Sequence, residues 1–290
     1  MKRVAVVLLL ACAVAAAQDF STVEVTTAAE KYQFTEGPVW SHEGYLLFSD
    51  IPASKIMKLT PGEGAAVVFR EKSNGANGNT FDTHGRLYSC EGETRRVVRT
   101  DKNGKVEVLA EKFEGKRLNQ PNDIVVRKDG HVWFTDPAFG SGEKARELDF
   151  YGVFHITPKG ELEVVARPKG RPNGLALSPS GKILYVDNSD EKNVRAYDVD
   201  RNGKASNERV LVSDIPGLPD GMKVDEKGNL YVAAKNIVVY SPEGKQLAVI
   251  PIPEQAANCA FGDDDMQSLY VTARTSVYKV RLPVKGSIQY

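Results

Sequence analysis

Pro172-Asn173-Gly174-Leu175-Ala176-Leu177-Ser178-Pro179-Ser180-Gly181-Lys182-Ile183-Leu184-Tyr185-Val186 is the stretch whose reading decides the fold. Asn173-Gly174 opens a short apolar run. Eight residues after Asn173, Gly181 marks a turn, and a second apolar run, Ile183 to Val186, follows. Val194 to Asp198 comes next, then a turn at Asn202-Gly203, then Val210 to Val212. Apolar alternation broken by Gly and Asn-Gly turns is a hairpin signal, so the unit reads as four short antiparallel strands.

The same unit recurs along the chain. Glu36-Gly37-Pro38 leads to Gly44 and Tyr45 to Phe48, Asn77-Gly78 to Gly85 and Leu87-Tyr88, and Asn122-Asp123 to Gly130 and Val132 to Phe134. Asp220-Gly221 leads to Gly228 and Leu230 to Val232. Asn258-Cys259 leads to Leu269 to Val271, with Met266 where the Gly should stand. Six repeats, with openings 41, 45, 51, 47 and 38 positions apart, predict an all-β fold, a six-bladed β-propeller of four-stranded antiparallel blades. A β-sandwich would leave the fixed spacing unexplained. The sixth repeat lacks a fourth strand, and the alternating segment from Thr22 to Thr26 is placed to supply it. That addition would close the ring and cover the open edge.

Composition bounds the rest. The 290 residues are 41% hydrophobic and 26% charged, with zero formal net charge. No basic stripe marks a nucleic-acid partner. Lys2 and Arg3 precede an apolar stretch from Val4 to Ala11, and Ala15-Ala16-Ala17 fits a signal-peptidase site. The expectation is an exported chain, periplasmic or extracellular, with residues 1–17 removed and residues 18–290 forming one domain. The apolar run is too short to span a bilayer. Leu9-Leu10-Ala11-Cys12 also resembles a lipobox with a poor residue at Leu10, so anchoring at Cys12 is the alternative. Cys90 and Cys259 read as small buried hydrophobes. A closed propeller needs no partner for stability, which predicts a monomer. His42, His84 and His131 fall in or beside turns and read as solvated.

The first strand of each propeller blade lines the central channel, so the opening residues meet around one axis. They are Glu36, Asn77, Asn122, Asn173, Asp220 and Asn258, all oxygen-bearing and none basic. Singly, such Asn-Gly and Asp-Gly steps are ordinary turn formers. In register, they suit a hard divalent cation, Ca²⁺ most naturally, with Zn²⁺, Mn²⁺ and Mg²⁺ as alternatives.

Glu36-Gly37-Pro38-Val39-Trp40, Pro121-Asn122-Asp123, Phe134-Thr135-Asp136-Pro137, Pro172-Asn173-Gly174-Leu175-Ala176 and Leu218-Pro219-Asp220-Gly221-Met222 resemble the SMP-30/gluconolactonase/LRE family over nearly the whole chain after the leader. The resemblance implies a six-bladed propeller with one divalent metal in the channel and hydrolysis of a sugar lactone. It implies Glu36, Asn173 and Asp220 as metal ligands, Asp220 doubling as general base, and Asn122 beside the metal. Asn77 and Asn258 join Asn122 as substrate-binding candidates. Animal members carry Arg two residues before the matching Asn; here Gln120 stands there, and Arg117 and Asn119 are candidates to replace it. The segment from Pro137 to Phe150 reads as a lid, and Asp136 as a turn residue. No Gly-x-Ser-x-Gly elbow is present. Other readings are a non-catalytic ligand-binding or scaffold propeller, since the fold alone does not fix function, and another ester or lactone hydrolase at the same metal.

Overall fold

The computed structural model describes Phe20 and residues 23–288. The leader and Cys12 lie outside the described residues. Six four-stranded antiparallel sheets surround one axis. Blade I comprises Thr35–Ser41, Tyr45–Asp50, Lys55–Leu59 and Val67–Arg70. Blade II runs from Ala76–Phe81 to Val106–Ala110, blade III from Ile124–Val126 to Leu162–Ala166, blade IV from Pro172–Leu177 to Ala205–Val212, and blade V from Met222–Val224 to Gln246–Ile250. The inner strand of each blade touches those of both its neighbours, which closes the ring.

Blade VI is built from both ends of the chain. Ala256–Gly262, Ser268–Ala273 and Ser276–Arg281 are joined on the outside by Val25–Glu30, and Val25 lies opposite Val280. The closing strand expected at Thr22 to Thr26 therefore exists, three residues further on. The turn at Met266 keeps the repeat's register although Gly is missing: Met266 adopts φ 56°, and its N–H bonds to the Asp263 carbonyl at 3.0 Å. Gly44 and Gly130 make the same turn in blades I and III.

The core is a set of seams between blades. Tyr185, Val194 and Ala196 of blade IV, for example, pack on Met222, Leu230 and Val232 of blade V. Cys90 and Cys259 are fully buried free thiols within such seams. Burial pushes the Cys259 thiol up to about 12, so neither cysteine is a nucleophile at neutral pH.

The tail after blade VI crosses the end of the channel away from the cavity described below. Gly286 bridges Asp225, and the Ser287 N–H bonds to the Val224 carbonyl at 2.9 Å. No helix among the described residues is long and apolar enough to cross a membrane.

His42 and His84 are exposed, as turn residues should be. His131 departs from expectation, with only 7% of its surface exposed. It opens the second strand of blade III, where side chains two apart share a face, so it lies beside Trp133 and turns inward. Trp133 in turn sits opposite His155. The His131 and His155 rings stack at 4.9 Å with Nδ1 and Nε2 2.7 Å apart, and His155 Nδ1 is 3.1 Å from Glu163. Burial lowers the proton affinity of both histidines, against Asp129 and Asp200 near His131 and Glu163 near His155; Arg127 adds to the lowering. The unfolded chain thus binds more protons below the ordinary histidine value of about 6.5, and stability present above it falls as pH drops. The urea midpoint of wild type should fall more steeply from pH 7 to 5 than that of His131→Gln/His155→Gln; equal slopes would refute this.

Candidate functional site

The opening residues reach the axis because the inner strands are bulged beside them. One extra residue is inserted between Glu36 and Val39, between Ala76 and Asn79, and between Pro172 and Leu175. A bulge re-aims a side chain at the cost of local pairing. The lost pairing is replaced across blades. The Gly78 N–H bonds to the Asn122 carbonyl at 2.7 Å, and the Gly174 N–H to the Asp220 carbonyl at 2.8 Å. Blades come so close here that no side chain fits: a Cβ on Gly37, which has φ +49°, would stand 1.9 Å from the Asn77 carbonyl oxygen.

A cavity of about 280 Å³ opens on this axis. Glu36, Asn77, Asn122, Asn173 and Asp220 form its polar floor, and Phe34, Ile51, Pro121 and Phe139 wall it. The structure thus brings together five of the predicted site residues. Asn258 is placed one level deeper. In blade VI the bulge falls earlier, between Ala256 and Asn258, so the Gly221 N–H bonds to the Ala257 carbonyl. The Asn258 side chain then fills the level that glycines occupy in four other blades, against Gly221. From there its Nδ2 donates to Glu36 Oε2 at 3.1 Å.

Two further candidates lie outside the lining. Asn119 donates through Nδ2 to the carbonyls of Asp136 and Phe150, and its backbone N–H bonds to Asp136 Oδ2 at 2.7 Å. Arg117 is exposed on a small hairpin, Lys112–Phe113 with Lys116–Arg117, and its Nη2 donates to the Thr94 carbonyl. Neither replaces the missing arginine. Gln120 does line the cavity. Asp136 acts as a turn clamp, accepting the N–H groups of both Asn119 and Gln120. The Pro137 to Phe150 segment forms a 3₁₀ turn over Gly140–Ala145 and contributes Phe139 to the cavity wall.

Two carboxylates were not singled out by the repeat. Asp123 follows Asn122 at the glycine level, and Asp187 sits on the second strand of blade IV; both are buried. Asp187 Oδ1 accepts the Gly174 N–H at 3.1 Å. The apolar context of Tyr185-Val186-Asp187 was the available signal, since a carboxylate ending a buried strand needs a reason.

Four carboxyls therefore crowd one axis. Burial pushes Glu36 up to about 7, with the Asp123 charge adding to it. Burial and then Glu36 hold Asp220 well above the carboxylate range, burial and then Asp220 do the same for Asp187, and burial raises Asp123. Lys223 opposes the rise at Glu36 and Asp123. Asn77 Oδ1, Asp123 Oδ2 and Asp187 Oδ2 are buried without a hydrogen-bond partner.

Like charges packed in a dry site with orphan oxygens fit a cation that supplies the missing charge. The donors suit a hard ion: the Glu36 and Asp220 carboxylates, and Asn173, whose Nδ2 donates to Ser189 Oγ at 3.1 Å so that its amide oxygen would be the atom offered to a cation. Among the described residues no three His, Cys, Asp or Glu side chains gather as a ligand set. The fitting set instead mixes carboxylate with amide.

Such a ring defines a six-bladed propeller with a polar-floored cavity on its axis. Residues 34–275 match the SMP-30/Gluconolactonase/LRE-like region. A gluconolactonase of Zymomonas mobilis is 34% identical over 92% of this chain and 83% of its own. Regucalcin of Xenopus laevis is 30% identical over 90% and 91%. A solved gluconolactonase from Xanthomonas campestris superposes with TM-score 0.83 at 32% identity, over 90% of each chain. This chain belongs to the SMP-30/gluconolactonase/LRE-like family.

The raised carboxyl at Glu36 has a measurable consequence. Its contribution to the cation-free fold is complete below the unfolded value of 4.5 and is lost as pH rises through about 7. In EDTA, wild type should lose melting temperature between pH 5 and 8, and Glu36→Gln should lose less. A steeper loss in Glu36→Gln would contradict the crowding of charge.

Proposed function

We propose that this lactonase opens an uncharged sugar lactone in the axial cavity, with one divalent cation held by Glu36, Asn173 and Asp220. That the chain is a lactonase follows from its membership and its gluconolactonase relatives. The single observation carrying the cation is the convergence of Glu36 and Asp220 with orphan oxygens around them. Ca²⁺ is the first choice for an all-oxygen set, with Zn²⁺, Mn²⁺ or Mg²⁺ as alternatives.

When bound, the cation would polarise the lactone carbonyl as a Lewis acid. Asp220 takes a proton from the attacking water. Burial and Glu36 raise its proton affinity above that of an ordinary carboxylate, which makes it a stronger base. Asn77 and Asn122 present amides to the substrate's ring oxygens, and Asn122 is fixed by its N–H bond to the Thr135 carbonyl at 2.9 Å. Phe34, Ile51 and Phe139 exclude bulk water from the floor.

EDTA should abolish gluconolactone hydrolysis by the purified protein, and added Ca²⁺, Zn²⁺ or Mn²⁺ should restore it. Asp220→Asn should lower kcat roughly 10²–10⁴-fold, the range of a general base, with the fold retained. Activity indifferent to chelation, or an active Asp220→Asn, would sink the reading, and no turnover at all in wild type would favour a binding propeller.

We propose that the leader directs export and, separately, that the closed ring is a monomer. Amino-terminal sequencing of protein recovered from the periplasm or medium should begin at Gln18. A chain beginning at Met1 would exclude cleavage, and a lipid-modified Cys12 would indicate the anchored form.

A further inference from the structure

We infer that Gln120 is a positioning residue that sets the width of the cavity by pinning Phe139, and that the enzyme is thereby restricted to compact, uncharged lactones. This rests on the reading of the axial cavity as the lactone site.

Gln120 is held at both ends. Its backbone N–H bonds to Asp136 Oδ1 at 2.8 Å, and its side-chain Oε1 accepts the Phe139 N–H at 3.0 Å. The side chain runs between two glycines. A Cβ on Gly142 would stand 2.6 Å from Oε1, and one on Gly92 would stand 3.4 Å from Cγ. Gly92 belongs to the end of blade II's second strand and Gly142 to the 3₁₀ turn after Phe139, so Gln120 is a strut between two loops.

Phe139 is gripped from its other side. The Arg171 guanidinium lies 4.7 Å over its ring. Arg171 is itself tied to Asp190, its backbone N–H and Nε bonding to Oδ2 at 2.8 and 2.9 Å. Phe139, its backbone held by Gln120 at the entry to blade III and its ring covered by Arg171 at the entry to blade IV, is a fixed wall. Fixing a wall determines which substituents pass, because an apolar pocket discriminates one extra methylene group by roughly 10–200-fold.

The charge of the substrate follows from the same lining. The residues around the cavity include Glu36 and Asp220 but no Lys, Arg or His. With the cation's two charges matched by Glu36 and Asp220, a phosphorylated or carboxylated lactone would find no basic side chain there to offset its own charge. Gln120 presents an amide at this wall and spends its oxygen on Phe139.

The test is a panel of glucono-1,5-lactone, a γ-lactone with an eight-carbon alkyl chain, and a phosphorylated gluconolactone, assayed with Ca²⁺. Gln120→Ala and Phe139→Ala should each raise kcat/KM for the alkyl lactone at least tenfold. Gln120→Ala should raise KM for gluconolactone several-fold with kcat within twofold. Gln120→Glu still offers an oxygen to the Phe139 N–H and should keep the wild-type size preference. The phosphorylated lactone should be turned over at least a hundredfold less well than gluconolactone by wild type. An unchanged size preference in Gln120→Ala would overturn the inference. So would a Gln120→Glu that behaves like Gln120→Ala, because the amide hydrogens would then be reading substrate directly, and so would ready hydrolysis of the phosphorylated lactone. Amide hydrogen exchange of residues 139–145 separates this inference from the site reading. It should quicken in Gln120→Ala whether or not lactone turnover is detected, and unchanged exchange would remove the strut.

Discussion

The structure depends on how closely six inner strands approach one another at the axis. Where Gly78 meets Asn122 and Gly174 meets Asp220, backbone N–H groups bond to carbonyls of the next blade. Those bonds replace ladder pairs that the bulges break, so buried backbone groups stay satisfied. The same closeness forbids a Cβ at the bonding residue and points the preceding side chain into the channel. Gly37, Gly78 and Gly174 are thus fixed for a steric reason, whereas at the same level blade III carries Asp123 and blade VI Asn258.

That geometry concentrates charge. Carboxylates on different blades become neighbours in a dry space although they are far apart in sequence. Each raises the proton affinity of the next, and burial raises them all. A protein keeps such an arrangement when something compensates it. On one side Lys223 opposes the charge at Glu36 and Asp123. On the cavity side no basic side chain lines the floor, so the proposed cation would supply the compensation.

The fold was legible because turn spacing is local. The distance from Asn173 to Gly181 reports a hairpin whatever surrounds it, and Met266 obeys it even without glycine. The site was legible only as far as register could be extrapolated. Asn258 matches the turn spacing, yet a bulge shifted toward the strand start drops it one level. Sequence does not announce where a bulge falls. Asp187 and Asp123 escaped because they do not occupy the repeated position, and their importance arises from neighbours on other strands. His131 was misread for a similar reason: the turn beside it is exposed, but its strand face is set by Trp133 and its partner His155. Arg117 and Asn119 were close to Gln120 in the chain, but the Asp136 clamp turns that loop so that only Gln120 faces the cavity.

The last blade joins a strand from the beginning of the chain to three from its end, with Thr26 and Lys279 in contact 253 positions apart. A ring sealed in this way cannot be completed while the chain is still being made. Contacts of that separation are also the slowest to form. The strand Val25–Glu30 has no sheet partner until Ser276–Arg281 arrives. Completion of the last blade is therefore the closing step of assembly, an order written into the connectivity.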